Sequence, residues 1–326
     1  MSADGGRRAP GEPIPIDRIR AARDRIAGLA LRTPLVRLHL GDGPEVYLKL
    51  ENLQPIGSFK LRGAGNAMAC LPDAELARGV YTASAGNMAQ GVAWVARARG
   101  VACTVVVPDH APRAKLEAID RLGGRIIKVP FDRWWQIIVE HRFEGVEGAF
   151  IHPVCDPEVI AGNGTIGLEI LEDLPDVDAV LVPYGGGGLV SGIASALRAL
   201  APRVRVLASE VETAAPLAPS LAAGELREVG YTPTFVDGCG SRSVLPEMWP
   251  LVRGLVGGSV VVPIAEVAAA VRLLVERARV VAEGAGAVSV AAALSGRAGG
   301  GKLCCVVSGG NLDSDKLAAI LGGRLP

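Results

Sequence analysis

The sequence predicts an α/β protein in which an open, largely parallel sheet is covered by helices on both faces. Two observations predict it. From residue 46 onward, short β-branched runs alternate with longer segments of helical period. The runs are also too continuously apolar for strands wetted on one face, which marks a buried parallel sheet. In chain order the strands are VYLKL (46–50), GVYTAS (79–84), CTVVVP (103–108), RIIKVP (125–130), AVLVP (179–183), VRVLAS (204–209) and LCCVVS (303–308). Between them, MAQGVAWVARARG (88–100), APRAKLEAIDRLGG (111–124), PEVIAGNGTIGLEILEDL (157–174), LVSGIASALRAL (189–200) and EVAAAVRLLVERARVV (266–281) carry apolar residues at helical spacing. Residues 209–250 are the least regular and rich in Pro and Gly, as suited to lining a site as to linking elements.

Composition narrows the function classes. The chain has 326 residues, 49% hydrophobic and 21% charged, which is enough for two lobes with cores of their own. Lys plus Arg equals Asp plus Glu at 34 each, so no net field draws nucleic acid or an anionic membrane surface. Cys70, Cys103, Cys155, Cys239, Cys304 and Cys305 form no C-x-x-C pair and read as a reduced, cytoplasmic inventory. Charges or glycines break every apolar stretch before the roughly 20 residues a membrane-spanning helix needs. The opening MSADGGRRAPGEP lacks an apolar core after its arginines and reads as a leader, not an export signal.

Three strand-to-loop junctions carry polar and glycine residues. AVLVP runs through Tyr184 into Gly185, Gly186, Gly187 and Gly188 before a helix begins. Four residues without side chains let amides converge at a helix N-terminus, where the dipole favours a phosphate; the plain alternative is a tight turn, which needs one or two glycines. No Lys-Ser/Thr pair follows, so the loop is not a P-loop. A Rossmann reading survives only through Glu210, at the end of the next strand. YTASAGNMAQG clusters Ser84, Gly86, Asn87 and Gln90, and VVSGGNLD clusters Ser308 and Asn311. Together the junctions point to one crevice built from several loops.

Lys60 stands between Phe59 and Leu61 at a helix start. In an apolar setting an amine loses stability as ammonium and becomes a nucleophile able to form a Schiff base; on composition alone a solvated surface lysine is the commoner case. A Schiff-base lysine joined to a phosphate loop is the pair that pyridoxal 5'-phosphate requires.

PIGSFKLRGA, SAGNMAQG, VIAGNGTIGLEI, VPYGGGGLVSGIA, VVAEGAGAVSVAAAL and VVSGGNLD follow one another in order over about residues 30–325. In order and spacing they resemble the fold type II (β-family) pyridoxal-phosphate enzymes, and within these the threonine/serine dehydratase and serine racemase group. The resemblance implies two open twisted sheets flanked by helices, a tryptophan synthase β-like fold. A small mobile domain would span 56–153, and a large cofactor-binding domain would combine 1–55 with 154–326. It implies that Lys60 holds the cofactor and takes the substrate's α-proton, that Phe59 lies against the pyridine ring, and that Gly185, Gly186, Gly187 and Gly188 wrap the phosphate. Asn87 would bind the ring hydroxyl and Ser308 would face the ring nitrogen. Ser84, Ala85, Gly86 and Gln90 would line the place of the substrate carboxylate. Glu283 either caps its helix or stands near the ring, and the resemblance favours the second.

A serine at the ring nitrogen gives a weaker electron sink than an aspartate, which suits β-elimination. The expected activity is a dehydratase (ammonia-lyase) that turns L-threonine, L-serine or a related β-hydroxy amino acid into a 2-oxo acid and ammonia. The alternative is an amino acid racemase. Racemases of this group carry a second acid/base one residue after the first serine of the asparagine loop, where this chain has Ala85. The resemblance is to the short catabolic dehydratases, so no added regulatory module is expected, and it implies a homodimer.

Several positions depart from the group. Met88 replaces a histidine, and Val154 and Cys155 replace a more polar pair. Of the cation ligands found in some relatives, Glu210 and Ala214 match while Pro216 replaces a carboxylate, with Glu212 as a possible substitute. Trp134 and Trp135 fall in the expected small lobe; one is expected to pack in the core, and the other, if it faces the cleft, would suit a substrate bulkier than serine. SRSVLPEMWPLV (241–252) also departs, which predicts an altered side-chain pocket. His39, His110, His141 and His152 are too scattered for a ligand motif, and His152 reads as a satisfied packing residue.

Overall fold

In a computed structural model that describes residues 11–41 and 44–326, ten strands form two sheets. Most of the leader, residues 1–10, lies outside the described residues. The strands are β1 (Leu35–Leu38), β2 (Glu45–Lys49), β3 (Val80–Ala83), β4 (Cys103–Pro108), β5 (Arg125–Val129), β6 (Ala149–Phe150), β7 (Ala179–Pro183), β8 (Arg205–Val211), β9 (Ser259–Val262) and β10 (Lys302–Val306). The larger sheet has the order β1-β2-β10-β7-β8-β9, and the smaller one β5-β4-β3-β6. Every pairing is parallel except β1 with β2.

All seven expected strands form. Their burial follows position in the sheet: β7 is buried at all five residues, with a core on each face, Leu181 toward one and Val180 and Val182 toward the other. The run 125–130, expected to be buried on both faces, is corrected: β5 is an edge strand with Arg125 and Lys128 exposed. The charges at those two positions are what an exposed edge tolerates. The strands not anticipated, β1, β6 and β9, have four, two and four residues and all lie at sheet edges. So few residues give no readable period.

The expected helices form as Asn87–Ala98, Arg113–Arg121, Pro157–Asp173, Gly188–Leu200 and Ile264–Leu273. The last is shorter than expected: it passes into a π-helical turn, Leu274–Ala278, closed by Arg279 in the left-handed region at φ 61°. Helix Pro157–Asp173 starts where its sequence dictates, with Pro157 in the first turn and the Asp156 carboxylate accepting the amides of Glu158 and Val159 at 2.7 and 3.4 Å. Among the described residues no helix is long and apolar enough to cross a membrane.

Two features seat the helix that starts at Lys60, Lys60–Ala69. It lies directly on Pro157–Asp173, so close that a Cβ on Gly162 would fall 2.4 Å from the carbonyl oxygen of Arg62. The Arg62 guanidinium is 2% exposed and bridges two buried carboxylates, with Nε and Nη2 each 2.8 Å from Glu51 and Nη1 2.7 Å from Glu169. Lys49 completes the cluster at 2.6 Å from Glu169. Burial alone would raise the Glu51 carboxyl, but the charge and hydrogen bonds of Arg62, the Thr33 hydroxyl and the charge of Lys49 together more than reverse it. Two cations and two anions held this way tie the start of the helix to β2 and to Pro157–Asp173.

Candidate active site

The C-terminal ends of β3, β7 and β10 turn into the three polar junctions, the usual place for a ligand in open α/β sheets. They meet at a cavity of ≈ 330 Å³ lined by Lys60, Ser84, Asn87, the four glycines and Ser308. That volume is in the range of small-molecule sites.

The Lys60 amine donates to the carbonyl oxygen of Pro153 at 2.7 Å and stands 5.3 Å from the centroid of the Phe59 ring. Burial pushes it down to about 8, so the setting inferred from its neighbours in sequence is realised. The glycine loop lines the same cavity. Gly187 holds φ +97°, a conformation side chains rarely adopt, and precedes helix Gly188–Leu200. Among the described residues the amides of Gly185, Gly186, Gly187 and Gly188 have no acceptor. Orphan donors at a helix N-terminus, in one small cavity with a lysine, fit the phosphate of pyridoxal 5'-phosphate.

The Asn87 side chain is fixed from two sides. Its Nδ2 donates to Glu283 Oε1 at 2.8 Å, and its Oδ1 accepts from Asn311 Nδ2 at 2.8 Å. Glu283 lines the cavity and makes no side-chain cap to the helix it precedes, Gly284–Leu294, which decides between its two expected positions. Burial, reinforced by the charge of Asp237, pushes its carboxyl up to about 7. Ser308 is buried beside Phe59, whose amide donates to the Ser308 carbonyl at 3.0 Å.

Ser84, Ala85 and Gly86 line the cavity, and the Ser84 hydroxyl accepts the Gly86 amide at 3.2 Å. Gln90 instead faces an adjoining groove of ≈ 290 Å³ that shares Gly86, Asn87, Asp237 and Glu283 with it. Met88 is 2% exposed and packs into the small sheet's core. Both Glu210 oxygens are engaged, one by the Leu217 amide at 2.8 Å, the other by the Ala218 amide at 2.9 Å and the Ser259 hydroxyl at 2.6 Å. Ala214 is buried near by, Glu212 accepts the Ile264 amide, and among the described residues no group of three His, Cys, Asp or Glu side chains converges on one point.

The two tryptophans of helix Phe131–Glu140 part as a 100° step requires. Trp134 lines the cavity beside Phe131, with ring centroids 5.7 Å apart, and also packs on the core formed by Val106 and Ile137. Trp135 is 42% exposed.

Sequence reasoning missed Lys115 and Asp237, which pair at 2.6 Å across the cavity's rim, and Pro153. Only the Asp-Gly step at 237–238, within the irregular segment, signalled any of them.

Comparison with known proteins agrees with this geometry. Residues 26–309 match the family described as pyridoxal-phosphate dependent enzymes. The chain is 42% identical over 319 residues to the L-threonine ammonia-lyase of Thermotoga maritima, covering 96% of this chain and 79% of that protein. It is 40% identical to the catabolic L-threonine dehydratase of Escherichia coli, covering 95% and 97%. Among solved structures, that of maize serine racemase superposes with a TM-score of 0.88 at 35% identity, covering 96% of this chain and 98% of the other.

Proposed function

The chain belongs to the pyridoxal-phosphate-dependent enzymes, and from that premise we propose that it is an ammonia-lyase acting on L-threonine, L-serine or a related β-hydroxy amino acid. It eliminates water across the α and β carbons, and the enamine so released tautomerises to an imine that water hydrolyses to a 2-oxo acid and ammonia. The bound cofactor supplies an electron sink conjugated to the α-carbon. The chain's own residues do the rest. The free amides of the glycine loop hold the phosphate, Asn87 the ring hydroxyl, and Ser84 and Gly86, with Gln90 from the groove beside them, the substrate carboxylate. Lys60 takes the α-proton. With the amine at about 8, about a quarter of it is neutral at pH 7.5, against about a thousandth at the ordinary lysine value.

The observation that carries elimination over racemisation is Ala85. It lines the cavity between Ser84 and Gly86 with a methyl group that exchanges no proton. The likeness to serine racemases favours the second reading, and product analysis separates the two. A panel of β-hydroxy amino acids, aromatic and acidic ones included, is scored for ammonia and for D-isomer. Lys60→Ala is expected to abolish both the yellow absorbance of the bound cofactor and ammonia release; retention of both rejects the assignment. The same reading takes residues 56–153 as a small domain that closes on the remainder. It takes the protein to be a cytoplasmic homodimer; six free cysteines support the compartment.

A further inference from the structure

His152 does more than fill space. It is 3% exposed, and each ring nitrogen has its own task. Nδ1 accepts two successive amides, those of Val154 at 3.0 Å and Cys155 at 2.8 Å. Nε2 lies 3.2 Å from the carbonyl oxygen of Ile138, which only accepts, so Nε2 carries the proton. Burial, with the nearby His141 ring, pushes the imidazole down to about 3, and it stays neutral with Nδ1 an acceptor at any working pH. Between His152 and Val154 in the chain stands Pro153, whose carbonyl accepts from the Lys60 amine. The same turn seats another wall of the cavity: a Cβ on Gly186 would fall 2.5 Å from the Val154 side chain, and one on Gly188 would fall 2.8 Å from the Val154 carbonyl oxygen.

We propose that His152 is a positioning residue, whose Nδ1 gathers the Val154 and Cys155 amides into the turn that aims the Pro153 carbonyl at Lys60 and presses Val154 against the glycine loop. A neutral amine that donates one N–H to Pro153 keeps its lone pair free for the cavity. One buried ring thereby sets the attitude of the lysine and the seat of the phosphate loop together, and links both to helix Phe131–Glu140 through Ile138. The inference goes beyond the dehydratase reading and does not depend on the substrate.

Two polar substitutions of similar size separate the roles of the ring nitrogens. In His152→Asn the amide oxygen takes the place of Nδ1 and keeps an acceptor for the two amides. In His152→Gln the polar end reaches toward Ile138 and leaves those amides unpaired. Each variant is stripped of cofactor, its melting temperature is recorded, and the second-order rate of pyridoxal 5'-phosphate capture is followed by absorbance. The expected result is a capture rate near wild type for the Asn variant and lower by about tenfold or more for the Gln variant. Equal rates in the two variants, whether both normal or both impaired, overturn the proposal, as does a failure of the Asn variant alone.

Discussion

Adding one methyl group to the phosphate loop should act through a single neighbour, and that neighbour can be trimmed. A Cβ at Gly186 would lie 2.5 and 2.8 Å from the two γ-methyls of Val154. Valine is β-branched and stiff about χ1, and its carbonyl oxygen is already against Gly188, so it cannot swing away without moving the loop. Overpacking of this kind costs about 1–3 kcal/mol. For a chain of this length that is about 2–4 °C in Tm. Cofactor affinity should fall further, because the displaced amides are those proposed to hold the phosphate. Val154→Ala removes both clashing methyls, so the double variant Gly186→Ala/Val154→Ala should be more stable than the sum of its single effects predicts. Gly188→Ala is the internal control: its Cβ would meet the Val154 carbonyl oxygen at 2.8 Å, which Val154→Ala leaves in place. Thermal unfolding of the apoproteins and cofactor titration read both quantities. Strict additivity for the 186/154 pair, or equal rescue of the Gly188 variant, would refute the reasoning.

Two further tests concern buried charge. The Glu283 carboxyl is held near 7 in the fold against an ordinary 4.5, so the folded state keeps a proton that the unfolded chain has released. The stability it contributes is therefore full below about pH 4.5 and lost as pH rises through about 7, a change of about 3 kcal/mol. Glu283→Gln should flatten that slope in denaturant titrations of the apoprotein at pH 5 and pH 7.5, and an unchanged slope would show that another group titrates there. Arg62→Met leaves Glu51 and Glu169 buried with only Lys49 to balance them, and should cost about 3–5 kcal/mol in urea unfolding. A loss under about 1 kcal/mol would mean that water reaches the carboxylates.

Much of the site was legible because its chemistry is local. Lys60 beside Phe59, the four glycines after a buried strand and Asn87 after Ser84 each declare a function within ten residues of chain, and covalent neighbourhood alone brings them near the ends of parallel strands. What went unread is which residues pair at long range. Asn87 is held by Glu283 and Asn311, 196 and 224 positions away, and the Lys60 amine by Pro153, 93 positions away. His152 was readable as a satisfied packing residue, but not which groups satisfy it. Trp134 and Trp135 were indistinguishable until the orientation of their helix put one in the cleft and the other in water.

What the sequence by itself determined was the alternation of strands and helices, the family and the cofactor, because apolar period, β-branching and ordered motifs are properties of adjacent residues. The tertiary structure alone decided which strands became edges, that Gln90 faces a neighbouring groove, that both Glu210 oxygens are spent on the Leu217 and Ala218 amides and the Ser259 hydroxyl, and that a neutral histidine stands behind the lysine's carbonyl partner. Burial and hydrogen-bond partnership arise only when distant segments pack, and no short stretch of chain encodes which distant segment that is.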